Sequence, residues 1–373
     1  MKQKRMGWLL GTLLFASLPA AAQDLDQMSV KELLPLAQKE GKVTVYAFTS
    51  RIAKVEKAFE AQYPGIDMIP IDMSSTEQIA RLKSEDSAGI TNADVVYISD
   101  VPVVIPELLK AGIIRNYVPP RMADRLDETF KTPLLAQRLS TKVLMYNEEA
   151  NPKGPPVDNL WQLTTPDWKG RVVMVDPLQR GDYLDLMVEI VLNAEAMAKA
   201  YEAQFGKPIT LSDGAKSAGH QFITDLFKND LVLMGSTDDV NKAIGAKGQA
   251  SPPIGFTSYS DRRDNEDEGW ALQVANTVTP ANGIIFPAVL SVTAKTTKPA
   301  AARLAIDFLM GDDSNTGGEA YKPFYVAGDY ATRKDIASHP DAVPLAEFTA
   351  WQIDPAKTAE IRKEIGDLIL LLQ

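Results

Sequence analysis

Short apolar segments rich in β-branched residues alternate with amphipathic stretches along most of the chain. Residues 43–48, 69–73 and 95–98 have the length and composition of buried strands. Between them, apolar residues recur three or four positions apart, which is the spacing of one face of a helix. This alternation predicts an α/β fold with mostly parallel sheets.

Five of the predicted strands end on small polar residues that open a helix. The residues at these junctions are Thr49 and Ser50; Ser74, Ser75 and Thr76; Ser99 and Asp100; Asp176; and Gly235, Ser236 and Thr237. In an open parallel sheet, ligands bind outside the carboxyl ends of the strands, where helix N-termini present unpaired N–H groups. The pattern therefore predicts a crevice for a small polar or anionic molecule.

A proline-rich loop at residues 151–156 marks a junction, and a second α/β set follows it. The elements predicted beyond the first set are strands at 141–147, 172–175, 231–234 and 283–292 and helices at 183–205, 299–310 and 355–372. A chain of 373 residues exceeds the usual size of a single core. We therefore expect two domains.

The first 22 residues have the pattern of an export signal. They combine a basic start at residues 2–5, a short apolar core at 8–18 and a small-residue cleavage site at 20–22. A transmembrane anchor needs roughly 20 apolar residues, and this core is too short. We therefore expect a cleaved signal peptide and a periplasmic mature protein that does not insert into the membrane.

The composition excludes several kinds of chemistry. The chain has no cysteine, which rules out disulfides, a thiolate nucleophile and cysteine zinc ligands. Its two histidines are far apart, so the sequence predicts no metal site and no cofactor. Without the signal, 36 basic residues face 49 acidic ones, a net charge of −13, which argues against nucleic acid or an anionic membrane as a partner.

Five sequence segments carry a resemblance to a known family: residues 41–46 (GKVTVY), 74–82 (SSTEQIARL), 93–97 (ADVVY), 109–114 (LKAGII) and 299–309 (PAAARLAIDFL). With the order of the elements, they resemble the type II periplasmic solute-binding proteins of ABC importers. The chain resembles in particular the branch that contains ferric-iron, thiamine, aminoethylphosphonate and sugar-phosphate binders. The resemblance implies a binding protein, not an enzyme, that works as a monomer with an inner-membrane ABC permease.

The resemblance also implies a two-lobe fold that closes on its ligand. Each lobe is a mostly parallel sheet flanked by helices, and two crossing strands, at 142–147 and 283–292, join the lobes. We expect the first lobe to comprise residues 23–139 and 292–373, and the second lobe to comprise residues 140–291.

Candidate ligand-binding residues lie mainly at the strand ends. They are Thr49, Ser50, Arg51, Ser74, Ser75, Thr76, Ser99, Asp100, Ser140, Thr141, Gln179, Arg180, Gly181, Asp182, Tyr183, Ser236, Thr237, Asp238 and Tyr259. Hydroxyls at a helix start can present both side chains and N–H groups to an anion. The alternative for residues 74–76 is helix capping alone, completed by Glu77 or Gln78. Arg51 or Arg180 is suited to a forked contact with phosphate or carboxylate.

Residues 236–238 separate two classes of ligand. In the ferric-iron binders that the chain resembles, adjacent tyrosines at this strand end hold the metal, whereas this chain has Ser236, Thr237 and Asp238. The difference favours an anionic, hydroxylated organic solute such as a sugar phosphate, with ferric iron or an iron chelate as the alternative. Three further alternatives stay open: calcium at the acidic loop 261–268, a role with a sensor protein, and an enzyme that uses Asp182 and Asp238 as acid and base.

Overall fold

The computed structural model describes residues 24–373, and it consists of one large sheet flanked by helices. The strands are β1 (Lys42–Ala47), β2 (Asp67–Asp72), β3 (Val95–Ile98), β4 (Ile114–Arg115), β5 (Leu135–Asn147), β6 (Val172–Val175), β7 (Val232–Met234), β8 (Ile254–Thr257), β9 (Leu272–Val274), β10 (Gly283–Thr293), β11 (Tyr330–Ala331) and β12 (Trp351–Gln352). The helices are α1 (Val30–Glu40), α2 (Ile52–Gln62), α3 (Ser75–Ser87), α4 (Val101–Val104), α5 (Gly181–Leu192), α6 (Ala194–Phe205), α7 (Ala218–Lys228), α8 (Thr237–Gly245), α9 (Pro299–Leu309), α10 (Gly318–Tyr321) and α11 (Pro355–Leu372).

The sheet has two parallel ends joined by antiparallel strands. Its order is β2-β1-β3-β10-β5-β8-β6-β7. Strand β1 pairs parallel with β2 and β3, and β6 pairs parallel with β7 and β8. Between them, β10 runs antiparallel to both β3 and β5. The two-lobe α/β fold with two crossing strands is confirmed.

Hydrophobic residues form separate cores around the two parallel ends. We call the buried residues around β1 and β3, which include Val45, Val96 and Phe308, the first core. The second core surrounds β6 and α5 and includes Trp161 and Met187. Burial of apolar surface contributes roughly 25 cal/mol per Å², so each lobe has its own source of stability. The polar region between the two cores is where the strand ends meet.

The crossing strand β5 starts earlier than predicted and is entirely buried. We expected a strand at 141–147, whereas β5 begins at Leu135, and all thirteen of its residues are shielded from solvent. The first half of this strand was not predicted, because most of residues 137–142 are charged or polar, whereas a buried strand usually has a continuous run of apolar residues. The early start places Arg138 and Lys142 on the strand that links the two lobes.

The single helix predicted at 183–205 is wrong. The structure has two helices, α5 and α6, separated at Asn193, whose backbone leaves the helical region with φ −95° and ψ 35°. The side chain of Asn193 donates to the carbonyl of Glu189 at 2.9 Å, one turn earlier. Asparagine competes for backbone hydrogen bonds in this way, which makes it a common point of helix termination.

The packing of the last helix differs from the predicted division of the chain. We expected residues 292–373 in the first lobe, but Ile365 and Ile369 of α11 are buried in the second core. The amphipathic period that predicted this helix does not identify the surface that covers its apolar face. The remaining lobe boundaries stay a prediction.

The predicted signal peptide lies outside the described residues, and within residues 24–373 no helix is long and apolar enough to span a bilayer.

The contact between β5 and β10 yields a stability prediction. Gly283 opens β10 with φ +152°, and a Cβ there would lie 2.1 Å from the carbonyl oxygen of Lys142. The Gly283→Ala variant should therefore lose more than about 2 kcal/mol of unfolding free energy, measured by urea denaturation. Gly235→Ala is the control, because a Cβ at that position meets no atom within 4 Å. Equal stability of the two variants would contradict the prediction.

Candidate ligand-binding site

A cavity of about 700 Å³ lies between the two cores, at the carboxyl ends of β1, β2 and β7 and beside the crossing strands. Its lining residues are mostly polar or charged: Phe48, Thr49, Ser50, Arg51, Asp72, Met73, Ser74, Thr76, Glu77, Arg138, Ser140, Lys142, Gln179, Arg180, Asp182, Gly235, Ser236, Thr237, Asp238, Ser258, Ser260, Asp261, Arg263 and Phe286. We call this cavity the cleft. Its size and polarity suit a small hydrophilic molecule.

On the side of the cleft next to the end of β1, a buried carboxylate is shared by two arginines. Asp329 Oδ2 lies 2.6 Å from Arg51 Nη1 and 3.1 Å from Arg138 Nε. Arg51 also donates to the carbonyl of Pro323 at 3.1 Å and to Thr49 Oγ1 at 3.2 Å. Burial raises the pKa of Asp329, but the charges of Arg138 and Arg51 outweigh it and hold that pKa below its ordinary value.

Arg138 is fully buried in β5, and aromatic rings surround its guanidinium. Its guanidinium lies over the rings of Phe324, Tyr97 and Phe48, at 4.7, 5.2 and 5.3 Å from the ring centroids. Burial lowers the pKa of Arg138 to about 10, so the group stays charged at neutral pH. No residue in the range 24–373 accepts a hydrogen bond from its Nη2. Arg138 therefore retains an unused donor beside the cleft.

The second-lobe wall repeats the same arrangement. Asp182 Oδ2 lies 3.2 Å from Lys142 Nζ and 3.2 Å from Arg180 Nη2. Lys142 Nζ also donates to Ser258 Oγ at 2.6 Å. Burial raises the pKa of Asp182, but Arg180 and Lys142 outweigh it and bring the pKa to about 2. Arg180 in turn has its pKa raised, chiefly by the charge of Asp182.

A third charged group surrounds Arg263, and its positive charge is more fully neutralised than the charges at Asp329 and Asp182. Its Nη1 lies 2.8 Å from Asp261 Oδ1, and its Nη2 lies 3.0 Å from Asp264 Oδ2. Asn241 Nδ2 donates to the other oxygen of Asp261 at 2.9 Å. This group has two carboxylates for one cation, the reverse of the ratio at Asp329 and Asp182.

The hydroxyls at two helix starts are engaged in capping. Ser74 Oγ accepts from the N–H of Glu77 at 3.2 Å, while the Glu77 carboxylate accepts from the N–H of Ser74 at 2.9 Å. Ser236 Oγ accepts from the N–H of Asp239 at 3.1 Å. These are the bonds of ordinary N-caps, and Ser74 and Glu77 form a complete capping box. Thr76, beside them, is exposed to the cleft.

Most of the predicted candidates line the cleft. Those that do are Thr49, Ser50, Arg51, Ser74, Thr76, Ser140, Gln179, Arg180, Asp182, Ser236, Thr237 and Asp238. The structure therefore brings together residues from both lobes that are far apart in sequence. Whether each of them contacts a ligand stays a prediction.

The other candidates lie away from the cleft surface: Ser75, Ser99, Asp100, Thr141, Gly181, Tyr183 and Tyr259. Ser75 and Ser99 share a hydrogen bond of 3.0 Å with each other. Tyr183 is fully buried in α5. Tyr259 stacks on Phe348 at 5.9 Å, and its hydroxyl donates to the carbonyl of Asp341 at 3.2 Å. The hydroxyls of Ser75, Ser99 and Tyr259 are thus satisfied within the protein, whereas the buried hydroxyl of Tyr183 has no hydrogen-bond partner among residues 24–373.

Sequence reasoning missed three charged residues of the site: Arg138, Lys142 and Asp329. One signal was present, since Arg138, Ser140 and Lys142 alternate at every second position, the period of one face of a strand. No comparable signal marks Asp329, which lies in an irregular segment between α10 and β11.

The chain belongs to the bacterial extracellular solute-binding protein family, whose model matches residues 43–316. Proteins of this kind bind a small solute and deliver it to an ABC importer, and they are generally not enzymes. Their location is extracellular or periplasmic. No curated protein matches the chain.

Solved structures of low sequence identity share the fold. Iron-bound HitA from Pseudomonas aeruginosa is 17% identical with a TM-score of 0.69, and the match covers 89% of this chain and 99% of that one. The periplasmic binding protein AfuA from Actinobacillus pleuropneumoniae, with exogenous fructose-6-phosphate bound, is 17% identical with a TM-score of 0.66, covering 89% and 97%. At this identity the likeness shows the fold alone, and the two neighbours carry different ligands.

The depressed pKa of Asp182 predicts a specific acid dependence of stability. Its stabilising contribution is present above the ordinary value of 3.8 and is lost as the pH falls through about 2. The difference in unfolding free energy between the parent and Asp182→Asn should therefore become smaller by roughly 2 kcal/mol as the pH is lowered from 5 to 2. Thermal unfolding across this pH range measures the gap.

The control for this experiment is Asp213→Asn, because Asp213 is an exposed residue of the same lobe that does not line the cleft. Its gap to the parent should stay small at every pH. A gap for Asp182→Asn that is the same at pH 5 and pH 2 would contradict the assignment of the ion pairs.

Proposed function

We propose that the protein captures a small organic anion with a doubly charged group, such as a sugar phosphate, and delivers it to an ABC permease. One observation carries the proposal: two buried carboxylates, Asp329 and Asp182, are each shared by two cations. One such group lies on each side of the cleft. Each group has two cations and one carboxylate, so it has a net charge of +1. A phosphate monoester between the walls would neutralise both surpluses.

The surrounding side chains support an anion at this place. Arg51, Arg138 and Lys142 are nearly buried, where an electrostatic contact is stronger than at the surface, and Arg180 is partly exposed. The free Nη2 donor of Arg138 and the hydroxyl of Ser140 belong to the same lining. Arginine and lysine donors to phosphate oxygens form charge-assisted bonds about twice as strong as neutral ones. The anionic group of the solute would therefore bind against the crossing strand β5.

The exposed rim of the cleft supports a hydroxylated solute. Asp72, Glu77, Gln179 and Asp238 line the cleft and are exposed. Carboxylates accept hydrogen bonds from sugar hydroxyls, and an amide can both donate and accept. The negative rim would repel simple inorganic anions, so it favours a molecule that carries both phosphate and hydroxyl groups.

Ferric iron or an iron chelate is the alternative, because the HitA structure is iron-bound. The described lining of the cleft contains neither tyrosine nor histidine, and residues 24–373 hold no group of three or more histidine, aspartate or glutamate side chains placed for a metal ion. Carboxylates are the groups of this lining that favour a hard cation, and those of Asp182 and Asp261 are already paired with cations of the protein. We further propose that the protein acts in the periplasm as a monomer and does not catalyse a reaction.

A thermal-shift screen separates the two ligand classes. Hexose phosphates should raise the melting temperature by several degrees, because a solute at 100 times its dissociation constant stabilises a protein by about 2.7 kcal/mol. The parent sugars and inorganic phosphate serve as matched controls and should give smaller shifts. A rise with ferric citrate and none with any phosphorylated sugar would overturn the proposal.

Removal of one cation tests the charge arrangement directly. Arg180→Gln leaves Asp182 paired with Lys142 but removes the surplus charge of that wall. Affinity for the hexose phosphate found in the screen should fall roughly 10- to 100-fold, the value of one hydrogen bond to a charged group. Titration calorimetry measures this change.

Arg115→Gln is the matched control, since Arg115 is exposed on β4 and does not line the cleft. Its affinity should equal that of the parent. An Arg180→Gln variant that folds normally and binds as tightly as the parent would remove this wall from the proposed site.

A further inference from the structure

The last helix, α11, contacts both lobes near one end of the cleft. Ile365 and Ile369 fix it in the second core, against α5. On another side α11 contacts α4, whose Val101 and Val104 are buried in the first core. Helix α11 therefore moves with the second lobe and reaches across to the first.

One arginine of α11 makes the polar contact between the lobes. Arg362 binds both carboxylate oxygens of Asp100, the residue that precedes α4, and its Nη2 lies 3.1 Å from Asp100 Oδ2. Its Nη1 also lies 3.2 Å from Asp185 Oδ1 in α5. All three side chains are nearly buried, with exposed fractions of 12%, 3% and 2% for Arg362, Asp100 and Asp185. Solvent therefore screens these ion pairs only weakly.

The two carboxylates have different roles because they stand on different lobes. Asp185 lies on α5 in the second lobe, as Arg362 does through α11, so this pair persists when the lobes separate. Asp100 stands at the start of α4 on the first lobe, so its bond with Arg362 breaks on opening. Arg362 is therefore never left without a partner, and only the Asp100 contact depends on the position of the lobes.

Gly181 shows how closely the lobes approach at this point. It is the first residue of α5, and a Cβ there would lie 2.1 Å from Asp100 Oδ2 and 2.6 Å from Arg362 Nη2. Real Cβ atoms do not come this close to other atoms, so a side chain at position 181 would displace the carboxylate of Asp100 and the guanidinium of Arg362 from their present contact. Arg180 and Asp182 of the cleft flank this glycine, and the contact therefore adjoins the ligand-binding site.

We propose that Arg362 and Asp100 form an interlobe ion pair that stabilises the closed arrangement of the two lobes, and that Gly181 is required for it to form. Arg362 is a positioning residue: it lies outside the lining of the cleft and acts by setting the population of the closed state. A hinge protein binds its ligand more tightly when the closed state is already populated. The ion pair thus sets affinity without selecting the solute.

The distance between two spin labels tests the proposal without any ligand. The chain has no cysteine, so labels attach only where cysteines are introduced, at exposed Ser84 of α3 and exposed Lys242 of α8. Pulsed electron paramagnetic resonance then reports the distance between the lobes. In the doubly labelled parent, we expect a short-distance population that corresponds to the closed arrangement.

Gly181→Ala should move this distribution to longer distances and reduce the short-distance population about 10-fold or more. Gly366→Ala is the matched control, because a Cβ there meets its nearest neighbour, Leu178, at an ordinary 4.0 Å. It should leave the distribution unchanged. Both variants replace glycine by alanine within a helix, which favours helix formation, so a folding defect is not the expected cause of the shift.

Variants that remove one charge of the ion pair test the proposal independently of Gly181. Arg362→Gln and Asp100→Asn should each reduce the closed population about 10-fold, and the double variant should reduce it no further, because the two side chains act through one contact. Arg362→Lys should restore part of it. Distance distributions identical to the parent for Gly181→Ala and for Arg362→Gln would overturn the proposal. Since no solute is present, this result is independent of the proposed ligand.

Discussion

The structure depends on charged side chains buried in the strand that links the two lobes. Arg138 and Lys142 stand on β5, where every residue is shielded from solvent. An isolated charge in such a place costs several kcal/mol unless a counter-charge meets it. Asp329 and Asp182 supply these counter-charges, one from the irregular segment before β11 and one from the first turn of α5. The site is thus built around β5, and carboxylates distant in sequence neutralise the two cations of this strand.

The sequence predicts the fold better than it predicts the site, and the reason is physical. Strands such as β3 and β6 are short, apolar and buried on both faces, so composition alone identifies them. Arg138 and Lys142 break that pattern, because the carboxylates that neutralise these buried charges lie far away in the chain. Tyr259 illustrates a different difficulty: an amphipathic ring suits a ligand, yet the structure packs this ring against Phe348, outside the lining of the cleft.

Ion pairs of the same kind serve two different purposes in this protein. At Asp329 and Asp182, two cations share one carboxylate, which leaves a positive surplus toward the cleft. At Arg362 the ratio is reversed, with two carboxylates for one cation, so that group is saturated by the protein itself. Neighbours that share the fold at 17% identity carry iron or a sugar phosphate. The arrangement of charges, more than the fold, therefore decides which solute fits.

We propose that an anionic group of the solute binds between the cations that share Asp329 and those that share Asp182. The most direct measurement is a crystal structure of the protein isolated from the periplasm with its natural solute bound. We predict a tetrahedral anionic group within hydrogen-bonding distance of one cation from each pair, Arg51 or Arg138 on one wall and Lys142 or Arg180 on the other. A metal ion held by the carboxylates of the rim, or a neutral solute that contacts neither pair, would contradict the account.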